Sequence, residues 1–222
     1  MYNQKLFSYI LKNILNGYQV IRFKLNYDRK SVIIKHIKIN QPLNILEIGV
    51  YTGGFAIRML SQLSKSNLAN TSYTGVDLFA EMQTRQNHKA EISMWPDSRN
   101  DVLKKIKDSA PGTKVNLVQS TSFEFLVNDK NKYDLIFIDG GHSYETVKSD
   151  WELSSKLLND QGVVFFDDFT SKSGAANSGF GISKVVEEID AKVWNVKIFN
   201  NMDFFKKDWG ILALRIVKVN RA

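Results

Sequence analysis

The sequence contains no cysteine. Disulfides, thiolate metal sites and cysteine nucleophiles are therefore excluded, and the expected compartment is the cytoplasm. Long apolar runs are missing too, for none approaches the ~18–20 residues a membrane-spanning helix needs. The early stretch LFSYILKNIL is broken by Lys12 and Asn13 with no small-residue cleavage site after it, so no secretory signal is expected. Acidic residues are scarce in one place only. Residues 1–40 hold eight Lys and Arg against a single acid, Asp28, while the other 182 residues hold 22 basic and 22 acidic side chains. The net charge of +7 is thus a property of the leader. Such a segment suits a solvated helical face, the floor of a substrate pocket, a dimer contact or an anionic partner such as nucleic acid, and the sequence leaves these open.

What is present reads as alternation. The leader, 1–40, carries a helical stripe at Leu6, Phe7, Ile10, Leu11, Ile14 and Leu15, then a second helical stretch near 29–39 that Pro42 closes. From 41 to 222 short apolar strands alternate with helices. Strands are predicted at 43–49, 72–78, 114–119, 133–139 and 162–168, with helices near 53–65, 98–109, 143–158 and 182–191. VWNVKIF and WGILALRIVKV follow with no helical stretch between them. The pattern predicts an α/β fold, a mostly parallel seven-stranded sheet with an antiparallel C-terminal hairpin and helices on both faces. In such sheets ligands bind beyond the carboxyl ends of the strands.

Those ends carry the chemistry. Strand one closes in EIGVYTGGFA, where Gly49, Gly53 and Gly54 permit a tight turn close to a ligand. A nicotinamide fingerprint is excluded because its second glycine position holds Tyr51. Glu47 offers an acceptor to a cationic group, and Asp77, closing strand two, is placed to accept from both hydroxyls of a ribose. Gln119, Ser120 and Thr121 offer small polar contacts, to an adenine edge or to the next helix. Strand four closes at Asp139 and strand five at Asp167 and Asp168. Paired strands lie ~5 Å apart, so these carboxylates converge and repel unless something neutralises them, and a hard divalent cation would do so. His142 follows Asp139 across two glycines and is the candidate general base, whereas His36 and His88 lack companion chemistry.

LEIGVYTGG, YTGVDL, YDLIFIDGGHSYETVKSDW and GVVFFDDF, in that order, resemble a class I S-adenosylmethionine-dependent methyltransferase. More closely, Asp139-x-x-His142 with Asp167-Asp168 is similar to metal-dependent O-methyltransferases acting on sugar hydroxyls of macrolide antibiotics, and more loosely to catechol O-methyltransferases. The resemblance covers about residues 43–218 and implies a Rossmann-like methyltransferase fold. It implies that Glu47, Gly49, Tyr51, Gly53, Asp77, Ser120 and Asp139 hold S-adenosylmethionine. It further implies that Asp139, Asp167 and Asp168 hold Mg2+ or another hard divalent cation, and that His142 is the base. The acceptor is expected to be a small hydroxylated molecule, such as a sugar. The leader lacks the long auxiliary domain of the macrolide enzymes, and the rim loops 79–97 and 170–181 match nothing assignable. Phe79, His88, Trp95 and Phe180 in those loops read equally as lid or as packing anchors. The alternatives are a metal-independent methyltransferase, an oxygenase-type relative on the same fold, or a non-catalytic cofactor- or nucleic-acid-binding protein. Nucleic acid is not the expected partner, and a homo-oligomer is left open.

Overall fold

The computed structural model describes residues 28–91 and 94–222. The predicted helical stripe from Leu6 to Leu15 lies outside the described residues. Among the described residues, the strands are β1 Asn44–Ile48, β2 Ser72–Asp77, β3 Lys114–Gln119, β4 Tyr133–Ile138, β5 Leu158–Phe169, β6 Trp194–Lys207 and β7 Gly210–Arg221. They form one sheet in the order β3-β2-β1-β4-β5-β7-β6. The first five run parallel, and β7 pairs antiparallel with both β5 and β6, giving the expected C-terminal hairpin.

Among the described residues the α-helices are α1 Ser31–Asn40, α2 Gly54–Leu60, α3 Lys65–Asn70, α4 Phe79–Met82, α5 Arg85–Ala90, α6 Arg99–Ser109, α7 Ser122–Asn128, α8 Tyr144–Ser154, α9 Lys172–Ser178 and α10 Ile182–Glu188. Several begin at a side-chain cap whose oxygen accepts a backbone N–H three residues on: Ser98 for α6, Thr121 for α7 and Ser143 for α8. The loops 79–97 and 170–181, read in sequence as irregular, contain α4, α5 and α9. Their apolar residues are too few to make a helical stripe, so the short helices leave little periodic signal.

Both sheet faces are covered, and alternate residues of each central strand serve opposite cores. Leu135 and Phe137 join Ile33, Ile37, Met59, Leu60, Val102 and Ile106 on one face. Ile136 and Ile138 join Leu126, Val147, Trp151, Val164, Phe166 and Val185 on the other. Full burial of each such side chain stabilises by roughly 1.5–3 kcal/mol. Helix α1 contributes Ile33 and Ile37, both without solvent exposure. That anchorage fixes where the two residues before it, Arg29 and Lys30, can reach.

Register sets the level of the site. Ile48 of β1 lies opposite Ile138 of β4, which lies opposite Phe166 of β5. The residues that follow, Gly49, Asp139 and Asp167, therefore emerge together. A register shift in the β5–β7 pairing between Phe166 and Phe169 coincides with a left-handed backbone at Asp168, φ 59°. An irregularity of this kind re-aims side chains at a sheet edge.

Glu47 is buried within the first core, where the Tyr73 hydroxyl donates to its carboxylate. Burial pushes Glu47 up to about 8, with the Tyr73 bond and the Lys30 charge acting in the opposite sense. The fold thus retains a proton that the unfolded chain releases above its ordinary 4.5, so this group makes stability fall as pH rises between about 4.5 and about 8. Urea denaturation should show that slope flattened in Glu47→Gln. Tyr73→Phe, which strips the buried carboxyl of its partner, should cost about 1–3 kcal/mol.

Candidate active site

The carboxyl ends of β1 to β5 open into a cavity of about 850 Å³, within the range of small-molecule sites. Its walls include Gly49, Tyr51, Asp77, Ser120, Asp139, His142, Asp167 and Asp168. Of the residues that the resemblance assigns to the cofactor, Glu47 and Gly53 are absent from that wall. Glu47 faces Tyr73 in the core, and Gly53 precedes α2 in the left-handed conformation, φ 77°.

One side is built around Asp77. Its Oδ2 accepts the amides of Val50 and Tyr51, each at 2.8 Å, and its Oδ1 accepts that of Phe79 at 2.8 Å. This single carboxylate ties the glycine loop after β1 to the start of α4. Ser120 donates its amide to the Asp77 carbonyl at 3.2 Å, drawing the β3 end onto the same wall. Gly49, at φ 88°, passes so close to the β4 end that an added Cβ would lie 2.1 Å from the Asp139 carbonyl oxygen. No other residue type fits there.

The other side holds the acids, and two cations from the leader are seated among them. Arg29 Nε donates to Asp167 Oδ1 at 2.6 Å, and its terminal nitrogens reach Asp167 Oδ2 at 3.0 Å, Asp168 Oδ1 at 3.0 Å and Asp203 Oδ2 at 2.7 Å. Lys30 Nζ lies 2.6 Å from Asp139 Oδ2 and 2.9 Å from Asp167 Oδ2. Burial alone would raise Asp167, yet Lys30 and Arg29 hold it well below the usual carboxylate range. For Asp139 burial prevails over Lys30 and the carboxyl is raised. Burial opposes the charges of Arg29 and Lys30, but the surrounding carboxylates outweigh it and both are raised. At an effective dielectric near 20, two like charges ~4 Å apart repel by ~4 kcal/mol, so acids packed this way need opposite charge beside them, and Arg29 and Lys30 supply it.

His142 sits between the acids and the rim. Its Nε2 is 2.7 Å from Asp168 Oδ2 and its Nδ1 3.0 Å from the Glu91 carbonyl oxygen. Both ring nitrogens therefore face acceptors, the arrangement of an imidazolium. Burial pulls its pKa down, but the bond to Asp168, that residue's charge and the Glu91 carbonyl win and push it up to about 9. Phe180 stacks on the ring with centroids 4.6 Å apart. Glu91 also caps the start of α8, where its carboxylate accepts from Thr146 Oγ1 at 3.0 Å. The rim residues thus divide. Phe180 packs onto His142 inside the site, and Phe79 is a fully buried anchor. His88 and Trp95 meet edge to face, centroids 6.0 Å apart, and neither is in the cavity wall.

Sequence reasoning did not single out Arg29, Lys30, Asp203, Glu91 or Asp150. Arg29 and Lys30 did carry a signal, being cations immediately before a helix in a leader nearly devoid of acid. Asp203 and Glu91 lie in segments whose route depends on tertiary packing. Asp150 lies on α8 in the cavity wall, and among the described residues neither carboxylate oxygen reaches a hydrogen-bond partner. Burial pushes it up to about 7, the nearby Ser122 softening the shift.

Comparison with known proteins agrees with this architecture. The profile of a family described as "Methyltransferase domain" matches residues 46–169. An uncharacterised protein, R132, of Acanthamoeba polyphaga mimivirus is 26% identical over 78% of this chain and 73% of its own. Three solved structures share the fold at low identity. The O-methyltransferase TomG of Streptomyces achromogenes, involved in tomaymycin synthesis and solved with S-adenosylmethionine, has a TM-score of 0.60 at 13% identity, covering 86% of this chain and 78% of its own. The Podospora anserina methyltransferase PaMTH1, bound to S-adenosylhomocysteine, has a TM-score of 0.60 at 14% identity, covering 86% and 77%. An O-methyltransferase of Bacillus cereus, also with S-adenosylhomocysteine, has a TM-score of 0.57 at 16% identity, covering 98% and 89%. The family profile spans more than half of the sequence and the sheet is the one these structures share, so this chain belongs to the methyltransferase-domain family, with the class I S-adenosylmethionine-dependent fold.

Proposed function

We propose that the chain transfers the methyl group of S-adenosylmethionine to a hydroxyl of a small molecule. The observation that carries the reading is the convergence, in one cavity, of the Asp77 wall with His142 and the acidic cluster. In this reading Gly49, Tyr51, Asp77 and Ser120 take the cofactor, and the acceptor lies between His142 and the carboxylates. The acceptor oxygen attacks the sulfonium methyl in line. A C–O bond forms as the S–C bond breaks, its electron pair stays on sulfur, and S-adenosylhomocysteine leaves. Holding the two reactants close and aligned is the chief contribution the protein can make.

The hydroxyl proton goes to His142. The imidazolium arrangement, with Asp168 and the Glu91 carbonyl each facing a ring nitrogen, supports this role because it stabilises the state reached after the proton is taken. To act again, the ring must lose that proton and loosen one of the two bonds.

The sequence reading adds a divalent cation on Asp139, Asp167 and Asp168. Asp139, His142 and Asp168 do bring one ligand atom each within 4.8 Å of one another. Yet five of the six oxygens of the three aspartates already contact Arg29, Lys30 or His142. The donor set does not fit a hard divalent ion while Arg29 and Lys30 occupy it, and no step above depends on one.

Calorimetric titration should show S-adenosylhomocysteine binding to the wild-type protein. Asp77→Ala, which removes a carboxyl acceptor worth about 1.5–3 kcal/mol, should weaken that binding by roughly tenfold or more. No binding to the wild type would remove the basis of the reading. His142→Ala should bind the cofactor product normally while losing about 10²–10⁴ in kcat, and unchanged turnover would dismiss His142 as base. Because the neutral ring is the active form, kcat of the wild type should climb with pH and level off near the His142 value of about 9.

A further inference from the structure

The acidic cluster is met by positive charge from the chain itself, and that charge is not loosely held. The Arg29 and Lys30 side chains are only 11% and 21% exposed. Lys30 Nζ lies 4.9 Å from the ring centroid of Phe55 and 5.1 Å from that of Phe137, and the Arg29 guanidinium 5.5 Å from that of Phe205. Aromatic faces favour a cation that has left bulk water. Both residues stand at the start of α1, whose Ile33 and Ile37 are locked in the core.

We propose that Arg29 and Lys30 are resident counter-cations that replace a divalent ion in this site, so that the acceptor end is assembled without bound metal. The inference rests on the methyl-transfer reading of the cavity. Two unit charges from adjacent residues supply the charge a divalent ion would bring, and they use the oxygens it would need. Metal and leader are mutually exclusive occupants. Lys30 Nζ, with contacts to Asp139 and Asp167, engages two carboxylates while three N–H donors are available to it. Lys30 holds Asp139 and Asp167 together, and Arg29 keeps Asp167, Asp168 and Asp203 in place beside them.

Mn2+ binding to the purified full chain, followed by the electron paramagnetic resonance of the free ion at neutral pH, tests this directly. The wild type should take up no stoichiometric Mn2+ up to ~1 mM, a range in which even weak carboxylate sites fill. The double variant Arg29→Gln/Lys30→Gln, left with uncompensated acids, should bind one Mn2+ at least tenfold more tightly, about 1.4 kcal/mol. Its melting temperature should rise with Mn2+ while that of the wild type does not. Wild-type protein that binds Mn2+ as tightly as the variant overturns the proposal, and so does a variant that binds S-adenosylhomocysteine but takes up no Mn2+. Should the double variant not fold, Lys30→Met takes its place, with tighter Mn2+ binding than the wild type expected and equal binding overturning the proposal. S-adenosylhomocysteine titration of the wild type, run alongside in chelator, separates the two levels. Absent cofactor binding sinks the methyl-transfer reading, whereas the Mn2+ comparison decides the role of the leader.

Discussion

Carboxylates cannot be gathered in a partly buried cleft unless opposite charge comes with them. The ends of β4 and β5 deliver Asp139, Asp167 and Asp168 to one place, and the hairpin adds Asp203. The bonds from Arg29 and Lys30 make that gathering tolerable. Much of the rest of the molecule can be understood from this constraint. Helix α1 must be anchored in the core, because a floating segment would lose side-chain entropy with every ion pair it made. The C-terminal hairpin, with β7 and β6 beyond β5, brings Asp203 to Arg29.

His142 extends the same network outward. It shares Asp168 with Arg29, and through the Glu91 carbonyl it fixes the rim loop against the start of α8. The cavity therefore has two walls of different character. The Asp77 wall is organised by backbone amides converging on one carboxylate, and the other by side-chain charges that neutralise each other. A sulfonium cofactor and a hydroxylated acceptor make different demands, and this division suits them.

The fold was legible because its evidence is local. Apolar alternation in YDLIFI or GVVFF marks strands, capping residues mark helix starts, and one strand-helix rhythm implies a parallel sheet. The strand-end residues Asp77, Asp139, Asp167 and Asp168 were legible for a related reason, since topology dictates where strands end. What sequence could not disclose was which groups approach from afar. Arg29 is 138 residues from Asp167, and no periodicity links them. The need for a counter-charge was readable, but its source was not: an ion and a basic leader satisfy the same electrostatic demand. Glu47 shows the converse. Its place just before the glycine loop suggests a ligand contact, but strand alternation turns it toward Tyr73 in the core.

Gly49 would bear on the geometry of the proposed reaction. Its lack of a side chain lets the loop after β1 lie directly on the Asp139 backbone. The two reactants in the proposed chemistry would be held by these two loops, one each. Their separation is then gauged by main chain against main chain, without any adjustable rotamer between. A misplacement of ~1 Å can cost a factor of ~10² in such a transfer. In that chemistry the missing methyl group at this position would work as a machined spacer, setting the stroke of the transfer.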